Sequence, residues 1–232
     1  MAFPNFTSMK TILVSGSSSG IGFAICEESK KQGYNVIGIS RKINSQATEL
    51  GIRSYSVDVT NQNQINELVN NLTSEKITID ILINNAGLLI KDKFRDTTDD
   101  AFKKVYDVNI FGLANLTRAL LPIINTDGQV INISSIGGVN KSKKFPGLSA
   151  YASSKGALIT LTEVLAEEYR SRPRFNCLAL GSVKTKMLAE AFPGYEAKMM
   201  PDEMAKQILD FAFDENNKSN GEIITLEKDN LE

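Results

Sequence analysis

Short runs of apolar residues alternate with longer amphipathic stretches along most of the chain. Runs such as ILVSG, VIGIS and VINIS are apolar through their centres instead of alternating with polar residues. This pattern is typical of parallel strands that are covered on both faces. It predicts strands over Thr11–Ser15, Asn35–Ser40, Arg53–Val59, Ile79–Ile83, Gln129–Ile133, Arg174–Ala179 and Glu222–Leu226.

Stretches of helical length separate these runs. In Ile21–Gln32 the apolar residues fall on one side, and Gly33 follows as a favoured residue just after a helix. Between Arg41 and Leu50 there is room for no more than two turns. The remaining predicted helices are Asn61–Leu72 with Thr60 as its cap, a long helix from Thr98 to Pro122, and a helix from Ser149 to Tyr169.

Strands that alternate with helices predict right-handed crossovers. The fold class is therefore α/β, with a doubly wound, Rossmann-like, mostly parallel seven-stranded sheet and helices on both faces. No linker or composition break divides the sequence, so we expect one dinucleotide-binding domain over residues 1–232. In such sheets ligands bind beyond the carboxyl ends of the strands, where the strand order reverses.

Composition limits the possible functions. Lys and Arg total 26 and Asp and Glu 27, and this net charge of −1 argues against a general binder of nucleic acids or membrane surfaces. No apolar run approaches the roughly 18 residues of a membrane span, so we expect a cytoplasmic protein. Cys26 and Cys177 lie far apart, which predicts reduced thiols and no metal site. Because histidine is absent, proton chemistry must use Tyr, Lys, Cys or a carboxylate.

The stretch SAYASSKG contains a tyrosine and a lysine at a spacing that suits such chemistry. Tyr151 and Lys155 are four residues apart and project from the same face of a helix. A nearby ammonium lowers the free energy needed to ionise a phenol, whose ordinary pKa is about 10. A surface pair is the commoner explanation of this spacing taken alone, so the neighbouring motifs must decide.

The first predicted strand leads through SGSSSGIG directly into a helix. Glycines at Gly16, Gly20 and Gly22 allow a tight turn and a close approach of the backbone to a ligand. The free N–H groups at the start of the helix can then bind a pyrophosphate. The alternative is a Gly/Ser turn without a ligand.

The end of the second predicted strand indicates which dinucleotide is bound. Enzymes that use NAD usually place an acidic residue there, against the ribose 2′-hydroxyl. This chain has Ser40 followed by Arg41 and Lys42. A guanidinium can bind a 2′-phosphate through charge-assisted hydrogen bonds, so we predict a preference for NADP(H) over NAD(H). A solvated Arg–Lys turn is the alternative.

Together these motifs resemble the short-chain dehydrogenase/reductase family, and the resemblance covers almost the whole chain. SGSSSGIG is similar to the family's TGxxxGIG loop, the segment 84–87 to its NNAG, and Tyr151 with Lys155 to its YxxxK. INISS carries the family's catalytic serine, which the register places at Ser135 rather than Ser134. GSVKT resembles the loop that holds the nicotinamide, although Leu180 stands where the family commonly has proline.

The resemblance implies a set of functional residues. The implied catalytic residues are Asn109, Ser135, Tyr151 and Lys155. The implied cofactor-binding residues are Gly16, Ser18, Ser19, Gly20, Ile21, Gly22, Ser40, Arg41, Asp58, Val59, Asn85, Ala86, Gly87, Tyr151, Lys155, Gly181, Val183 and Thr185.

The resemblance also implies the roles of the catalytic residues. Hydride would pass between the nicotinamide and a carbonyl or secondary alcohol while Tyr151 exchanges a proton with the substrate oxygen. Lowering a phenol pKa from about 10 to near 7 requires roughly 4 kcal/mol, which Lys155 and an oxidised nicotinamide are expected to supply. Lys155 would also bond the nicotinamide ribose, Ser135 would polarise the substrate oxygen, and Asn109 would anchor a water that links Lys155 to solvent.

The substrate and the assembly stay open at this point. A 3-oxoacyl group on a carrier, a ketone, an aldehyde or a sugar-derived carbonyl would suit the family, beneath a short lid at about residues 186–200. Lys141, Lys143 and Lys144 could attract an anionic substrate or form a solvated loop. We expect a homodimer, with a homotetramer as the alternative. The rival functions are a non-catalytic NADP-binding sensor or scaffold and a sugar-nucleotide epimerase or dehydratase.

Overall fold

The computed structural model describes residues 9–170, 172–214 and 216–227. The predicted domain of residues 1–232 therefore extends beyond the described part at both ends. Within it, the chain forms a central sheet and helices that cover both faces of that sheet.

The sheet contains seven strands that are all parallel. Their order is β3-β2-β1-β4-β5-β6-β7, so the chain reverses direction across the sheet between β1 and β4. The predicted fold class is confirmed. The strands are β1 Thr11–Ser15, β2 Asn35–Ser40, β3 Arg53–Ser56, β4 Ile79–Asn84, β5 Ile124–Ser135, β6 Arg174–Leu180 and β7 Ile223–Leu226.

Eight α-helices are present among the described residues: α1 Gly20–Lys31, α2 Ser45–Glu49, α3 Gln62–Ser74, α4 Asp99–Tyr106, α5 Leu113–Leu120, α6 Ser149–Tyr169, α7 Lys186–Ala191 and α8 Pro201–Phe213. Alternate residues of the buried strands face opposite layers, as the two-residue period of a strand requires. Ile12 and Val14 belong to a core shared with α1 and α8. Leu13 belongs to a second core shared with α3 and α5.

The long helix predicted from Thr98 to Pro122 is interrupted. Thr98 caps α4, but residues 107–112 form a π-helical segment before α5 begins. A Cβ on Gly112 would lie 2.9 Å from Asp107 O and from the Val59 side chain, so glycine allows this segment to press against the chain after β3. The apolar periodicity continues through the π turn, and for this reason the sequence did not reveal it.

Two boundaries near β3 also differ from the prediction. Asn61, rather than Thr60, caps α3, and its side chain accepts hydrogen bonds from Asn63 N and Gln64 N. Thr60 instead donates to the carboxylate of Asp58. β3 ends at Ser56 rather than at Val59, because the chain turns toward this cap.

The strand β5 starts five residues earlier than predicted, at Ile124. Its first residues are polar, and the pairing with β4 shifts register between Ile79 and Ile81. Asn125 donates to Asp80 Oδ1 at 2.7 Å, and a Cβ on Gly128 would lie 2.8 Å from Asp80 O. This irregular start lacks the continuous apolar run on which the prediction relied.

Among the described helices, none combines the length and the apolar character needed to cross a bilayer.

Candidate active site

The predicted site residues lie at or beyond the carboxyl ends of the strands, and those that follow β1, β4 and β5 lie next to the point where the strand order reverses. The glycine loop leaves β1 at one side of this region. The segment that follows β4 lies in the middle, and α6 closes the other side. This is where ligands bind in sheets of this topology.

Glycines make the turn after β1 possible. Gly16 and Gly20 have φ of +70° and +57°, a backbone conformation that favours glycine. A Cβ on Gly22 would overlap Gly16 O and Asn85 Nδ2. The loop can therefore close tightly against the segment after β4 only with glycine at these positions.

The start of α1 leaves N–H groups available for an anion. Ser19 is the N-cap, but its side chain makes no capping hydrogen bond, and the first turn contains no acidic residue. By contrast, the caps of α3 and α7 both accept hydrogen bonds from their helices. Ser18 is half-buried and Ile21 packs on the adjoining core. The predicted pyrophosphate site thus fits this helix terminus chemically.

Ser15 joins the two central loops, a role that the sequence did not reveal. Its buried hydroxyl accepts hydrogen bonds from Asn85 N and Ala86 N, both at 3.0 Å. Asn85 Nδ2 in turn donates to Ser15 O at 3.0 Å. Gly87 follows directly, and a Cβ there would lie 3.6 Å from both Lys155 Nζ and Asn109 Oδ1.

The loop after β2 places Arg41 at the edge of the glycine loop. The Arg41 side chain is exposed, and its main-chain oxygen accepts a hydrogen bond from Ser56 Oγ at 3.1 Å. Ser40 Oγ donates to Lys42 O at 2.7 Å. Asn44 Nδ2 donates to Ser18 O at 3.0 Å, so the Arg41 loop and the glycine loop are connected.

Asp58 and Val59, which the resemblance implies as cofactor-binding residues, lie in the chain after β3. Asp58 is half-buried, and its Oδ1 accepts hydrogen bonds from Thr60 N and Thr60 Oγ1 at 2.9 and 2.8 Å. Val59 is buried beside Gly112. The carboxylate is therefore oriented by its own turn.

The predicted nicotinamide loop begins where β6 ends. Leu180 is paired with Ser135 on one side and Leu226 on the other, so leucine in place of proline keeps this residue within the sheet. Gly181 N donates to Leu226 O at 2.8 Å. Val183 forms a bridge with the chain near residue 199. Thr185 caps α7, and its methyl group would contact a Cβ on Gly20.

Lys155 is held inside the protein by a single carbonyl contact. The side chain is only 3% exposed, and Nζ donates to Ile133 O at 2.8 Å. Nζ lies 5.9 Å from the centroid of the Tyr151 ring. Burial lowers the pKa of Lys155 to about 8, while the Cys177 thiol acts in the opposite direction.

The pKa of the Tyr151 phenol is raised in this structure, whereas the lowered pKa that the resemblance implies includes the charge of an oxidised nicotinamide. Removal from water raises the pKa of Tyr151 above its ordinary value, and a hydrogen bond with Ser135 opposes that increase. The expected effect of Lys155 does not overcome burial, because its ammonium contacts Ile133 O rather than the phenol. The lysine alone therefore does not make the tyrosine acidic.

The two adjacent serines of INISS occupy different places. Ser135 Oγ accepts from Gly137 N at 3.2 Å and interacts with the Tyr151 hydroxyl. Ser134 is buried, and its Oγ donates to Lys155 O at 2.9 Å. Of the two, Ser135 is therefore the serine next to Tyr151, at the position to which the family register assigned it.

Asn109 connects α6 to the segment after β4. It lies fully buried in the π-helical segment, and its Oδ1 accepts from Leu88 N at 2.7 Å. Its Nδ2 donates to Leu88 O at 3.0 Å and to Ser154 Oγ at 2.9 Å. Ser154 Oγ donates to Tyr151 O at 2.7 Å. Motif matching did not identify Leu88 or Ser154, because their contacts use main-chain atoms and a small hydroxyl.

The lysine-rich loop before α6 uses part of its charge internally. The Lys144 ammonium donates to Gly137 O at 2.7 Å and also to Val139 O. Lys143 Nζ lies 5.9 Å from the centroid of the Phe145 ring, whereas Lys141 is exposed. Lys144 thus stabilises the loop itself.

Three loops meet beside this lysine-rich segment. Phe192, just after α7, packs edge-on against Phe145, with ring centroids 6.2 Å apart. Lys91 Nζ lies 4.0 Å from the centroid of the same Phe192 ring. Asp92 N donates to Gly147 O at 2.9 Å. A cavity of about 480 Å³ is lined by Lys91, Asp92, Lys93, Pro146 and Gly147.

In the described part of the chain, no three His, Cys, Asp or Glu side chains are grouped as a metal site would require.

The sequence matches a family model described as short chain dehydrogenase over residues 10–196. It is 30% identical to the 3-oxoacyl-[acyl-carrier-protein] reductase FabG of Chlamydia trachomatis, over 94% of this chain and 96% of that protein.

Solved structures of similar proteins contain either nicotinamide dinucleotide. One is a short chain dehydrogenase from Shigella flexneri in complex with NADP, with a TM-score of 0.85, 26% identity and coverage of 93% and 96% of the two chains. Another is a 4-hydroxyisoleucine dehydrogenase in complex with NADH, with a TM-score of 0.83, 28% identity and coverage of 94% and 97%.

The pKa of Lys155 predicts how stability depends on pH. The folded value of about 8 lies below the ordinary value of 10.5, so between these values the unfolded protein binds more protons and stability rises with pH. Across that interval, the free energy of unfolding of the wild type minus that of Lys155→Met should rise by about 3 kcal/mol. Chemical denaturation at a series of pH values measures this difference. A difference that stays constant with pH would contradict the assignment.

Proposed function

Because the chain belongs to the short-chain dehydrogenase family of oxidoreductases, we propose that it is an NADP(H)-dependent carbonyl reductase or alcohol dehydrogenase. The observation that carries this proposal is the position of Ser135 next to Tyr151, in front of the buried Lys155 and beside the glycine loop. A binding protein would need the loop but would have no use for a tyrosine and a serine placed side by side.

The cofactor would be held by the residues that fit it chemically. The uncapped start of α1 would bind the pyrophosphate, and Asn85, Ala86 and Gly87 would lie beside the nicotinamide half. The loop from Gly181 to Thr185 would cover it. When bound, the nicotinamide supplies or accepts the hydride.

Tyr151 would serve as the acid for the substrate oxygen. Burial raises its pKa, so the free protein holds the phenol in the protonated form at neutral pH. That form can donate a proton to a carbonyl oxygen while Ser135 donates a hydrogen bond to the same oxygen. The free protein is therefore prepared for carbonyl reduction, and alcohol oxidation would require an additional positive charge near the phenol.

Lys155 and Asn109 would maintain the proton supply. Lys155 would bind the nicotinamide ribose. Its ammonium would then either leave Ile133 O or contact Ile133 O and the ribose together. Both N–H groups of the Asn109 amide are in use, whereas Oδ1 accepts one hydrogen bond from the described residues and can accept a second from a water. We propose that this water links Lys155 to solvent.

The preference for NADP(H) rests on the Arg41 loop. Arg41 is exposed at the end of β2, where its charge can reach a 2′-phosphate, and Ser40 beside it is not acidic. The connection from Asn44 to Ser18 fixes this loop relative to the glycine loop.

The substrate is proposed only as a class. A 3-oxoacyl, ketone, aldehyde or sugar-derived carbonyl would enter beneath the lid at about residues 186–200, whose Phe192 already contacts two other loops. The similarity to a 3-oxoacyl carrier-protein reductase supports the first of these. A non-catalytic sensor or scaffold with the same fold remains the rival function, and activity that depends on Tyr151 discriminates between them.

Assembly and location stay predictions. We propose a homodimer formed through the helices, because Phe111 in the π segment and Val164 on α6 are 56% and 55% exposed. A cytoplasmic location agrees with the net charge of −1 and with the two free, buried cysteines.

Replacing the tyrosine hydroxyl tests the mechanism. Tyr151→Phe should lower kcat for carbonyl reduction by about 10²- to 10⁴-fold, because the proton donor is lost while the ring remains. NADPH oxidation with a panel of carbonyl compounds measures this. Tyr34→Phe is the matched control, because Tyr34 lies just before β2, at the amino ends of the strands and away from the site, where its ring stacks on Phe213. Equal rates for wild type and Tyr151→Phe would refute the mechanism.

Reversing the charge at Arg41 tests the cofactor preference. Arg41→Glu should weaken NADPH binding by about 10- to 100-fold, through loss of a charge-assisted hydrogen bond, and leave NADH binding nearly unchanged. Fluorescence titration measures both affinities. Lys104→Glu, on the exposed face of α4, makes the same change in net charge and should alter neither. If Arg41→Glu weakened the binding of both cofactors equally, a preference set by the 2′-phosphate would be wrong.

A further inference from the structure

The helix that carries Tyr151 and Lys155 buries a different kind of surface from α3. The buried residues of α3 are all large and apolar, namely Ile65, Leu68 and Leu72. Those of α6 are mostly small or polar, namely Ala150, Ser154, Lys155, Leu158, Thr162 and Ala166. Burying polar groups is unfavourable unless each finds a partner, so this side of α6 must be matched by the sheet.

Two residues of β5 supply those partners. Ser134 Oγ donates to Lys155 O at 2.9 Å, and Asn132 Nδ2 donates to Thr162 Oγ1 at 2.9 Å. Thr162 Oγ1 donates to Leu158 O at 2.8 Å, so this second contact also reaches the helix backbone. We call Ser134, Asn132 and Thr162 the polar seam.

The polar seam continues into both neighbouring strands. Asn84, Asn132 and Cys177 are paired in register across β4, β5 and β6. Asn84 Nδ2 donates to Asn132 Oδ1 at 2.8 Å, and the Cys177 thiol interacts with the hydroxyls of Ser134 and Thr162. Both ends of the Asn132 amide are thereby fixed.

Close packing of backbone adds a constraint at Lys155 itself. A Cβ on Gly138 would lie 2.6 Å from Lys155 C and 2.7 Å from Gly156 N, so the turn after β5 presses on α6 at this residue. Lys155 is thus held by its ammonium on Ile133 O, by its carbonyl on Ser134, and by its backbone against Gly138.

Hydrogen bonds add a directional restraint on the position of a helix along its axis to the restraint that close-packed side chains already provide. A helix rises about 1.5 Å per residue, so a slide of one residue would break hydrogen bonds of 2.9 Å length. Small side chains such as alanine and serine interlock less with a facing strand than leucine or isoleucine, so on this side of α6 the hydrogen bonds carry more of that restraint. A displacement of about 1 Å at a reacting group can lower a rate by roughly 10²-fold.

We propose that Ser134 and Thr162 are positioning residues that set the axial position of α6 and so hold the Tyr151 hydroxyl and the Lys155 ammonium in place. The consequence for catalysis rests on the proposed function, whereas the consequence for the position of Lys155 does not. The titratable groups that face Lys155 are Tyr151, on the same helix, and Cys177, on β6.

The test uses the titration of Lys155 in the cofactor-free protein, followed by NMR on isotope-labelled lysine and assigned with Lys155→Met. Ser134→Ala and Thr162→Val each remove a hydrogen bond of the polar seam, so we expect water to reach the Lys155 ammonium. Because water stabilises the charged form, the midpoint of the Lys155 titration should rise from about 8 by at least about 0.5 units. The kcat for carbonyl reduction should fall about 10-fold or more. Thr162→Ser keeps the hydroxyl and should restore both properties.

The matched control is Ser29→Ala. Ser29 is a fully buried serine on α1 whose Oγ has no hydrogen-bond partner among the described residues, so it makes the same chemical change without breaking a contact. It should leave the Lys155 midpoint and kcat unchanged. If Thr162→Val lost cooperative unfolding, Ser134→Ala alone would decide, since it removes a single oxygen.

An unchanged Lys155 midpoint in Ser134→Ala and Thr162→Val would overturn the proposal, as would an equal change in Ser29→Ala or a Thr162→Ser that fails to restore the wild-type values. A wild type without activity on any carbonyl compound would refute the proposed function. The Lys155 titration would still decide whether the polar seam positions α6.

Discussion

Burial of the Lys155 ammonium is the constraint on which the site depends. Lys155 is 3% exposed and its ammonium donates to Ile133 O, so little water is present to stabilise the positive charge. Its pKa is therefore lowered to about 8. The neighbouring backbone must therefore come close without side chains in between. Gly138 allows this, because a Cβ there would lie only 2.6 Å from the main-chain carbon of Lys155. The helix that carries Lys155 is joined to β5 by hydrogen bonds from Ser134 and Asn132 in addition to apolar packing farther along the helix.

The same burial acts in the opposite direction on the neighbouring phenol. Loss of water raises the pKa of Tyr151, and the hydrogen bond with Ser135 only opposes that effect. In the free protein, burial thus disfavours both the Lys155 ammonium and the Tyr151 phenolate that alcohol oxidation would need. The protonated phenol is suited to proton donation. Under the proposed function, positive charge arriving with the oxidised cofactor would reverse this balance. The protein would then acquire a phenolate only when the cofactor is present.

Much of this arrangement could be predicted from local sequence, because its signals lie within single motifs. The buried strands and the glycine turn follow from apolar runs and from residue spacing, whereas the choice of Ser135 over Ser134 came from the family resemblance. Other features depend on contacts between distant segments. The π-helical segment around Asn109 has the same apolar period as a regular helix. The partners of Ser15 and Ser134 lie across strands, so their roles could not be read from the motifs that contain them. The raised pKa of Tyr151 depends on burial, which spacing alone does not reveal.

Burial keeps the Tyr151 phenol protonated in the free protein, and we propose that bound oxidised cofactor, together with Lys155, makes it acidic. The most direct measurement is a pH titration of phenolate absorbance, taken as the difference between wild type and Tyr151→Phe, with and without saturating NADP⁺. We expect a phenol pKa above 10 in the free protein and a decrease of at least about 2 units on adding NADP⁺, and we expect Lys155→Met to abolish that decrease. A phenol pKa that is the same with and without NADP⁺, or already well below 10 in the free protein, would contradict it.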